Sequence, residues 1–421
     1  MRRMRAATTF LGLLAACGDS SGAEGSGSDS GSGTTTTTTE VGSTTDTVPT
    51  GSGSEGMTTG DTCPVLPETV ADDLTVGPGC VRMYRTDIVD GATLTIVAGT
   101  TVQVEAGGFL HAGPYGDNSA LVVEGTETEP VIFQSAAASP APGDWQCVRI
   151  GTGSADSKIV WTVFEHGGQA CDAVGSRPET TVEVNAPALA FSFNTVRASA
   201  SQGVILGDGG AVREFRDNSF ADNARPSLRV APAALLSVAG GQVFADADEV
   251  VEIDGTFDEI GAAGTWSAQS VPYRVLGYLQ VGPDGDVELA AGTVVQLDGN
   301  SLEVFAGKLH VAGTADAPVV FTSAEDAPQA GDWGCLVYSS VTSPPQIDHA
   351  VFEYAGNGLG CTGAAYTAAL VGPETMQVTG STFRELAGAA IRSSTCDPGW
   401  CDNTFEGVDP LFECADPPVC P

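Results

Sequence analysis

The chain has 421 residues, with 53 Asp and Glu against 17 Lys and Arg, so its formal charge is −36, or −39 once Arg2, Arg3 and Arg5 near the N-terminus are discounted. Only Lys158 and Lys308 are lysines, and no basic cluster follows the first few residues, which excludes a nucleic-acid partner because nothing is available to neutralise phosphates. Gly and Pro number 54 and 24, below the share of about 25–30% typical of wholly disordered chains, and 42% of residues are hydrophobic, so a globular region with a core is expected.

Residues 1–16 read as a secretory leader, with three arginines before an apolar run from Ala6 to Ala16 that is too short to span a bilayer. Leu14-Ala15-Ala16-Cys17 resembles the lipobox of bacterial lipoproteins, in which the cysteine is acylated and becomes the new N-terminus. The resemblance implies an exported protein held to a membrane through Cys17. Gly18, in place of Asp, implies sorting to the outer membrane and the cell surface. Two acyl chains suffice for stable anchoring, at about 0.8 kcal/mol per buried CH₂. Residues 17–62 are a tether: 33 of the 45 residues from Gly18 to Thr62 are Gly, Ser or Thr. A coil of that length has a root-mean-square span of roughly 35–40 Å.

From residue 63 onward the chain is duplicated. PVIFQSAAASPAPGDWQC at 130–147 matches PVVFTSAEDAPQAGDWGC at 318–335, an offset of 188, and seven landmarks keep their order while the offset drifts only between 185 and 195. Among them are Phe164-Glu165 with Phe352-Glu353, and DNSF at 217–220 with DNTF at 402–405. These landmarks divide the chain into a first unit at 63–245, an acidic connector at 246–265, and a second unit at 266–421 that ends in a Cys-rich cap.

Within each unit, apolar pairs separated by one residue recur every seven to ten residues: Val287/Leu289, Val295/Leu297, Leu302/Val304, Leu309/Val311 and Val319/Phe321. Each is a short strand with one apolar face, and three of them close a circuit of 22–24 residues. Asn recurs at turns ahead of a hydroxyl and an apolar residue, as Asn194-Thr195-Val196, Asn218-Ser219-Phe220 and Asn403-Thr404-Phe405, while Ser381-Thr382-Phe383 uses serine. The pattern resembles the right-handed parallel β-helix of pectate-lyase-like proteins and many bacterial surface proteins. It predicts an all-β, disulfide-stapled solenoid of roughly 12–15 rungs built from two duplicated units. The resemblance implies that the asparagines stack and bond neighbouring rungs. A pair of β-sandwiches fits less well, because units of 188 residues are too long for them.

Ten cysteines besides Cys17 read as five disulfides in an exported chain. Equivalent positions in the repeat pair Cys147 with Cys171 and Cys335 with Cys361. Cys63–Cys80, Cys396–Cys401 and Cys414–Cys420 then remain as local pairs at the two ends. Zinc is disfavoured, because none of the four histidines lies at metal-ligand spacing from a cysteine pair.

The resemblance brings polysaccharide lyases and hydrolases into view, which need an Arg or Lys base with calcium-binding carboxylates, or two carboxylates at a set separation. Two equivalent pairs, Asp144 with Asp332 and Glu165 with Glu353, are the candidate carboxylates, with His166 and His349 near the second pair. Because both carboxylates occur in both copies, a scaffold role explains them better than a single active site does. His111 and His310 read as equivalent residues on a solvated face. Asymmetric features are better candidates. The stretch 244–260 carries Asp246, Asp248, Glu249, Glu252, Asp254, Asp258 and Glu259, and calcium, which takes six to eight oxygen ligands, is the one cofactor it could hold. Asp284-Gly285-Asp286 reads as a turn, and GVILGDGG at 203–210 lacks the lysine of a phosphate loop. Arg149, Arg213, Arg216, Arg225 and Arg229 are the bases to watch. The expected role is that of a non-catalytic surface protein, serving in binding, adhesion or as a structural rod, and the partner it would bind is a polysaccharide or cell-surface glycan; the alternative is a carbohydrate-active enzyme, a polysaccharide lyase or hydrolase assisted by calcium.

Overall fold

The computed structural model describes residues 63–154, 156–171, 178–187, 189–207, 212–224, 226–255, 259–358 and 367–420. The leader, Cys17, the tether, Arg225, Asp258, Cys361 and residues 208–210 of the glycine-rich run lie outside them.

Alternation sets the local structure. In Asp286–Ala290, Val287 and Leu289 are buried while Asp286 and Glu288 are exposed, and Thr93–Val97 and Val319–Ser323 alternate in the same way. A strand of three to five residues cannot bury such a face alone. Each strand therefore stacks in parallel on the one a rung away, and the described residues coil into a parallel β-helix. In the first unit, one face runs from Leu74–Val76 through Ala120–Glu124 to Glu214–Arg216. A second face runs through Val131–Ser135, Thr162–Glu165, Thr195–Arg197 and Ser219–Ala221 to Val243–Phe244. A third runs through Val148–Ile150, Thr180–Val184, Gln202–Leu206, Leu228–Val230 and Val251–Gly255.

Among the described residues only the third face crosses unbroken into the second unit, through Tyr273–Gly277, Val294–Leu297, Val319–Ser323, Ala350–Glu353 and Thr382–Arg384 to Thr404–Glu406. The repeat equates Val319–Ser323 with Val131–Ser135, which lies on the second face of the first unit. The second copy is therefore turned by one face about the helix axis. The turn is made where the 3₁₀ helix Pro232–Ser237 interrupts the coil. The first face ends there in the bridge Phe215–Val238, the second ends at Val243–Phe244, and two new ladders begin at Glu259–Ile260 and Ala263–Trp266. The acidic connector thus supplies one strand of the third face, Val251–Gly255, and the first strands of the two new ladders.

The interior is one continuous apolar core from Leu66 to Phe412. Equivalent phenylalanines stack along it: Phe321, Phe352, Phe383 and Phe405 have successive centroid separations of 5.0, 5.0 and 5.5 Å. Each such pair contributes about 0.5–1.5 kcal/mol beyond its area burial. The expected asparagine ladder is present at the turns. Asn194 N–H donates to Asn218 Oδ1 at 3.0 Å, and Asn218 N–H donates to Gln242 Oε1 at 3.0 Å, so a glutamine extends the ladder by a further rung. In the second unit Ser381 Oγ accepts from Ala350 N–H at 3.1 Å, and Asn403 Oδ1 accepts from Ser381 N–H at 2.8 Å.

Disulfides join Cys63 to Cys80 and Cys147 to Cys171. Cys335 is disulfide-bonded, and its expected partner Cys361 lies outside the described residues. The C-terminal pairing differs from expectation: Cys396 bonds Cys414, and Cys401 bonds Cys420. The reason is the coil. The four described bridges span 17, 24, 18 and 19 residues, so each links a rung to the next, whereas a short local pair would close within one rung.

Candidate functional site

The duplicated carboxylates hold turns and rungs. Asp144 Oδ2 accepts from Ser135 Oγ at 2.6 Å and Ala141 N–H at 2.9 Å, and Asp332 Oδ2 accepts from Ser323 Oγ at 2.6 Å and Gln329 N–H at 2.8 Å. The neighbouring tryptophans are fully buried and each donates its indole N–H to the next rung, Trp145 to the Glu165 carbonyl and Trp333 to the Glu353 carbonyl, both at 2.8 Å. The Glu165 carboxylate is paired with Arg197 and that of Glu353 with Arg384, both at 2.6 Å. His166 sits at a corner with φ 70°, as does Tyr354 at the equivalent place with φ 64°. The same bonds recur in both copies, so these groups build the scaffold twice.

The acidic stretch does not converge on one point. Asp246, Asp248 and Glu249 line an open cleft with Asn223 and Pro226. Asp246 caps the Asp222 N–H at 3.0 Å, and Glu249 accepts from the Ser227 N–H. Burial pushes the Glu249 carboxyl above its ordinary range, opposed by that hydrogen bond. Glu252 and Asp254 instead point outward from a strand: Glu252 stands in register between Arg229 and Arg274, and Asp254 pairs with Arg229 at 2.6 Å. Strand alternation and nearby arginines draw these two away from the turn, and Glu259 opens a strand on another face. Among the described residues no three His, Cys, Asp or Glu side chains are placed to hold a metal ion. Asp286, from the second turn, pairs with Lys308 at 2.6 Å.

The structure assembles a different group on the outer side of the third face. Asp87, His111, Arg149 and Glu183 stand in one register row, each on a separate rung. Arg149 Nε lies 3.2 Å from Glu183 Oε2, and its NH1 lies 3.3 Å from His111 Nε2. The other ring nitrogen of His111 faces Asp87 Oδ1 at 3.7 Å. Arg149 can only donate, so the arrangement assigns an Nδ1–H imidazole whose Nε2 accepts from the guanidinium. Glu183 Oε1 accepts from Asn185 Nδ2 at 2.7 Å. Beyond Glu183 the row opens into a cleft of about 260 Å³ lined by Asn185, Ile205, Arg229 and Asp254. Further on, Glu252 stands between Arg229 and Arg274, and beyond Gln296 and Thr322 Arg384 stands between Glu353 and Glu406, so opposite charges meet on adjacent strands.

This row is not duplicated. The second unit places Glu303, Val337, Val371, Arg392 and Glu413 where the first has His111, Arg149, Glu183, Ile205 and Arg229. His310, expected to answer His111, lies on another face and answers Val122 instead. Of the watched arginines, Arg149 and Arg229 join the row, and Arg216 pairs with Glu214 and Asp217 at a corner. Sequence reading missed Asp87, Glu183 and Asn185. Their signal is an ionisable residue held between apolar neighbours, as in Leu110-His111-Ala112, Val148-Arg149-Ile150 and Val182-Glu183-Val184.

Comparison with known proteins agrees with the β-helix fold. A model of the pectate-lyase-like β-helix domain matches residues 83–165 and again 259–356. Both halves are similar to that domain. The two matched stretches close beside equivalent landmarks, Glu165 and Glu353. No curated protein and no solved structure matches the chain.

Proposed function

We propose that this protein is a lipid-anchored cell-surface β-helix that binds glycan without cleaving it. One observation carries the reading: the carboxylates best suited to catalysis, Asp144, Glu165, Asp332 and Glu353, are engaged in identical scaffold bonds in both copies. The unduplicated polar row on the third face supplies the recognition surface instead, because its amide, carboxylate and guanidinium groups offer donors and acceptors beside the apolar wall of the cleft. The anchor is Cys17, and residues 17–62 hold the solenoid away from the membrane. Charge sets the ligand preference: a chain of formal charge −36 repels anionic polysaccharide unless cations intervene.

A second reading, calcium-assisted cleavage, is favoured by Arg149 standing between His111 and Glu183. The full chain is incubated with neutral and acidic polysaccharides, with and without calcium, and both retained protein and new reducing ends are scored. Retention without new ends is expected. New ends that disappear with chelator would overturn the binding reading in favour of a lyase or hydrolase. Membrane fractionation of the Cys17→Ser variant tests the anchor, and the variant is expected to leave the membrane fraction.

A further inference from the structure

The second unit carries another recess, on the face that corresponds to the first face of the first unit. It encloses about 400 Å³, within the range of ligand-sized clefts. Its floor is Leu309 and the buried ring of Tyr338, whose hydroxyl donates to the Leu309 carbonyl at 3.1 Å. One wall is the connection through Val341, Pro344 and Pro345. That wall is fixed, because the Pro345 carbonyl accepts from Gln377 N–H at 2.9 Å and Val341 packs against the core. The rim carries Lys308, His310, Gln346 and Gln377.

Duplication makes this recess informative. Outward-facing Glu288, His310, Gln346 and Gln377 stand in one register row. The corresponding row of the first unit is Thr95, Val122, Lys158 and Ala190. One scaffold thus carries two different outer surfaces, and only the second has paired amides over an apolar floor. Gln346 and Gln377 sit directly opposite each other on adjacent parallel strands, about 4.8 Å apart. Neither side-chain amide has a hydrogen-bond partner among the described residues.

The ionisable groups of the rim already have partners: Lys308 pairs with Asp286 at 2.6 Å, and His310 Nε2 lies 3.2 Å from Asp348 Oδ2. What remains to meet a ligand is an apolar floor and two amides, each able both to donate and to accept. A pyranose has the same division, with apolar C–H faces and an edge of hydroxyls that donate and accept. We infer that this recess is a binding subsite for a short segment of neutral glycan. The inference rests on the glycan-binding reading above and adds a second site, on a different face from the His111–Arg149–Glu183 row.

The test uses the full chain with cellohexaose, xylohexaose, mannohexaose and maltohexaose as probes, read by calorimetry and by hydrogen exchange. At least one probe is expected to bind and to slow exchange across 308–312 and 340–346. The exposed double variant Gln346→Ala/Gln377→Ala should weaken that binding at least tenfold, whereas Thr95→Ala/Lys158→Ala, at corresponding positions of the first unit, should leave it unchanged. Binding by the wild type that the glutamine variant retains, or protection confined to the His111–Arg149–Glu183 row, would overturn this subsite and leave the glycan-binding reading standing. Failure of the wild type to bind any neutral probe would overturn the subsite. Failure to be retained by any polysaccharide in the panel would overturn the glycan-binding reading as well.

Discussion

Substitution of Asn218 by Ala isolates what the turn ladder contributes. Asn218 is fully buried; its Oδ1 accepts from Asn194 N–H at 3.0 Å, and its Nδ2 donates to the Phe191 carbonyl at 3.2 Å and to Gln242 Oε1 at 3.1 Å. Alanine leaves the buried Asn194 N–H without its acceptor, while the Phe191 C=O keeps a main-chain donor from the ladder with Glu214–Arg216. For one unsatisfied buried group, the cost is about 1–3 kcal/mol. That is a measurable part of the 5–15 kcal/mol that typically separates folded from unfolded states. The duplication supplies the control. Asn194→Ser introduces the residue found at the corresponding Ser381, whose Oγ accepts a main-chain N–H at 3.1 Å, so an acceptor is kept for the Thr162 N–H. That variant loses only the Asn194 Nδ2 bonds to Asn218 Oδ1 and the Ile159 carbonyl, and each of these oxygens keeps a main-chain donor, so the loss should be about 1 kcal/mol or less. Urea titration followed by tryptophan fluorescence ranks the two variants. Hydrogen exchange across 191–221 reads the local opening expected when one rung of a solenoid loosens. Equal midpoint shifts for the two variants, or an Asn218→Ala loss below about 1 kcal/mol, would refute the ladder argument.

Replacing Cys147 and Cys171 together by Ala should destabilise by roughly 3 kcal/mol, since the bridge closes a loop of about 25 residues, and a fall in the urea midpoint measures it. Peptide mapping of the unreduced protein should recover Cys396 linked to Cys414 and Cys401 linked to Cys420; a Cys396–Cys401 peptide would contradict the rung-to-rung rule. Glu249 has its carboxyl raised by burial in the fold, so it favours folding below its unfolded pKa of about 4.3, and that contribution is lost as pH rises through the folded value. Glu249→Gln keeps an oxygen for the Ser227 N–H but cannot ionise, so its urea midpoint should exceed that of the wild type at pH 7 and match it near pH 4. A lower midpoint at pH 7 would reverse the reading.

Much of the scaffold was legible in the residues. Alternation in stretches such as Asp286–Ala290 states which side chains face inward, because strand side chains alternate whatever the partner strand is. Repeated Asn and Phe at equivalent turns and strands announce stacking, because equivalent residues of successive rungs must lie above one another. Other features depend on how far round the coil a residue has travelled, and that is a sum over every turn and excursion before it. His111 and His310 share a local pattern, yet they lie on different faces and have different equivalents. The one-face turn at Pro232–Ser237 cannot be read from either copy alone. The same holds for the C-terminal disulfides, which obey rung spacing and not sequence proximity, and for Glu252 and Asp254, which arginines on adjacent rungs draw away from Asp246 and Asp248. The sequence determined which side chains face inward and that the unit is doubled. The tertiary structure alone decided which outward residues become neighbours, because neighbours across rungs are set by accumulated rotation about the axis.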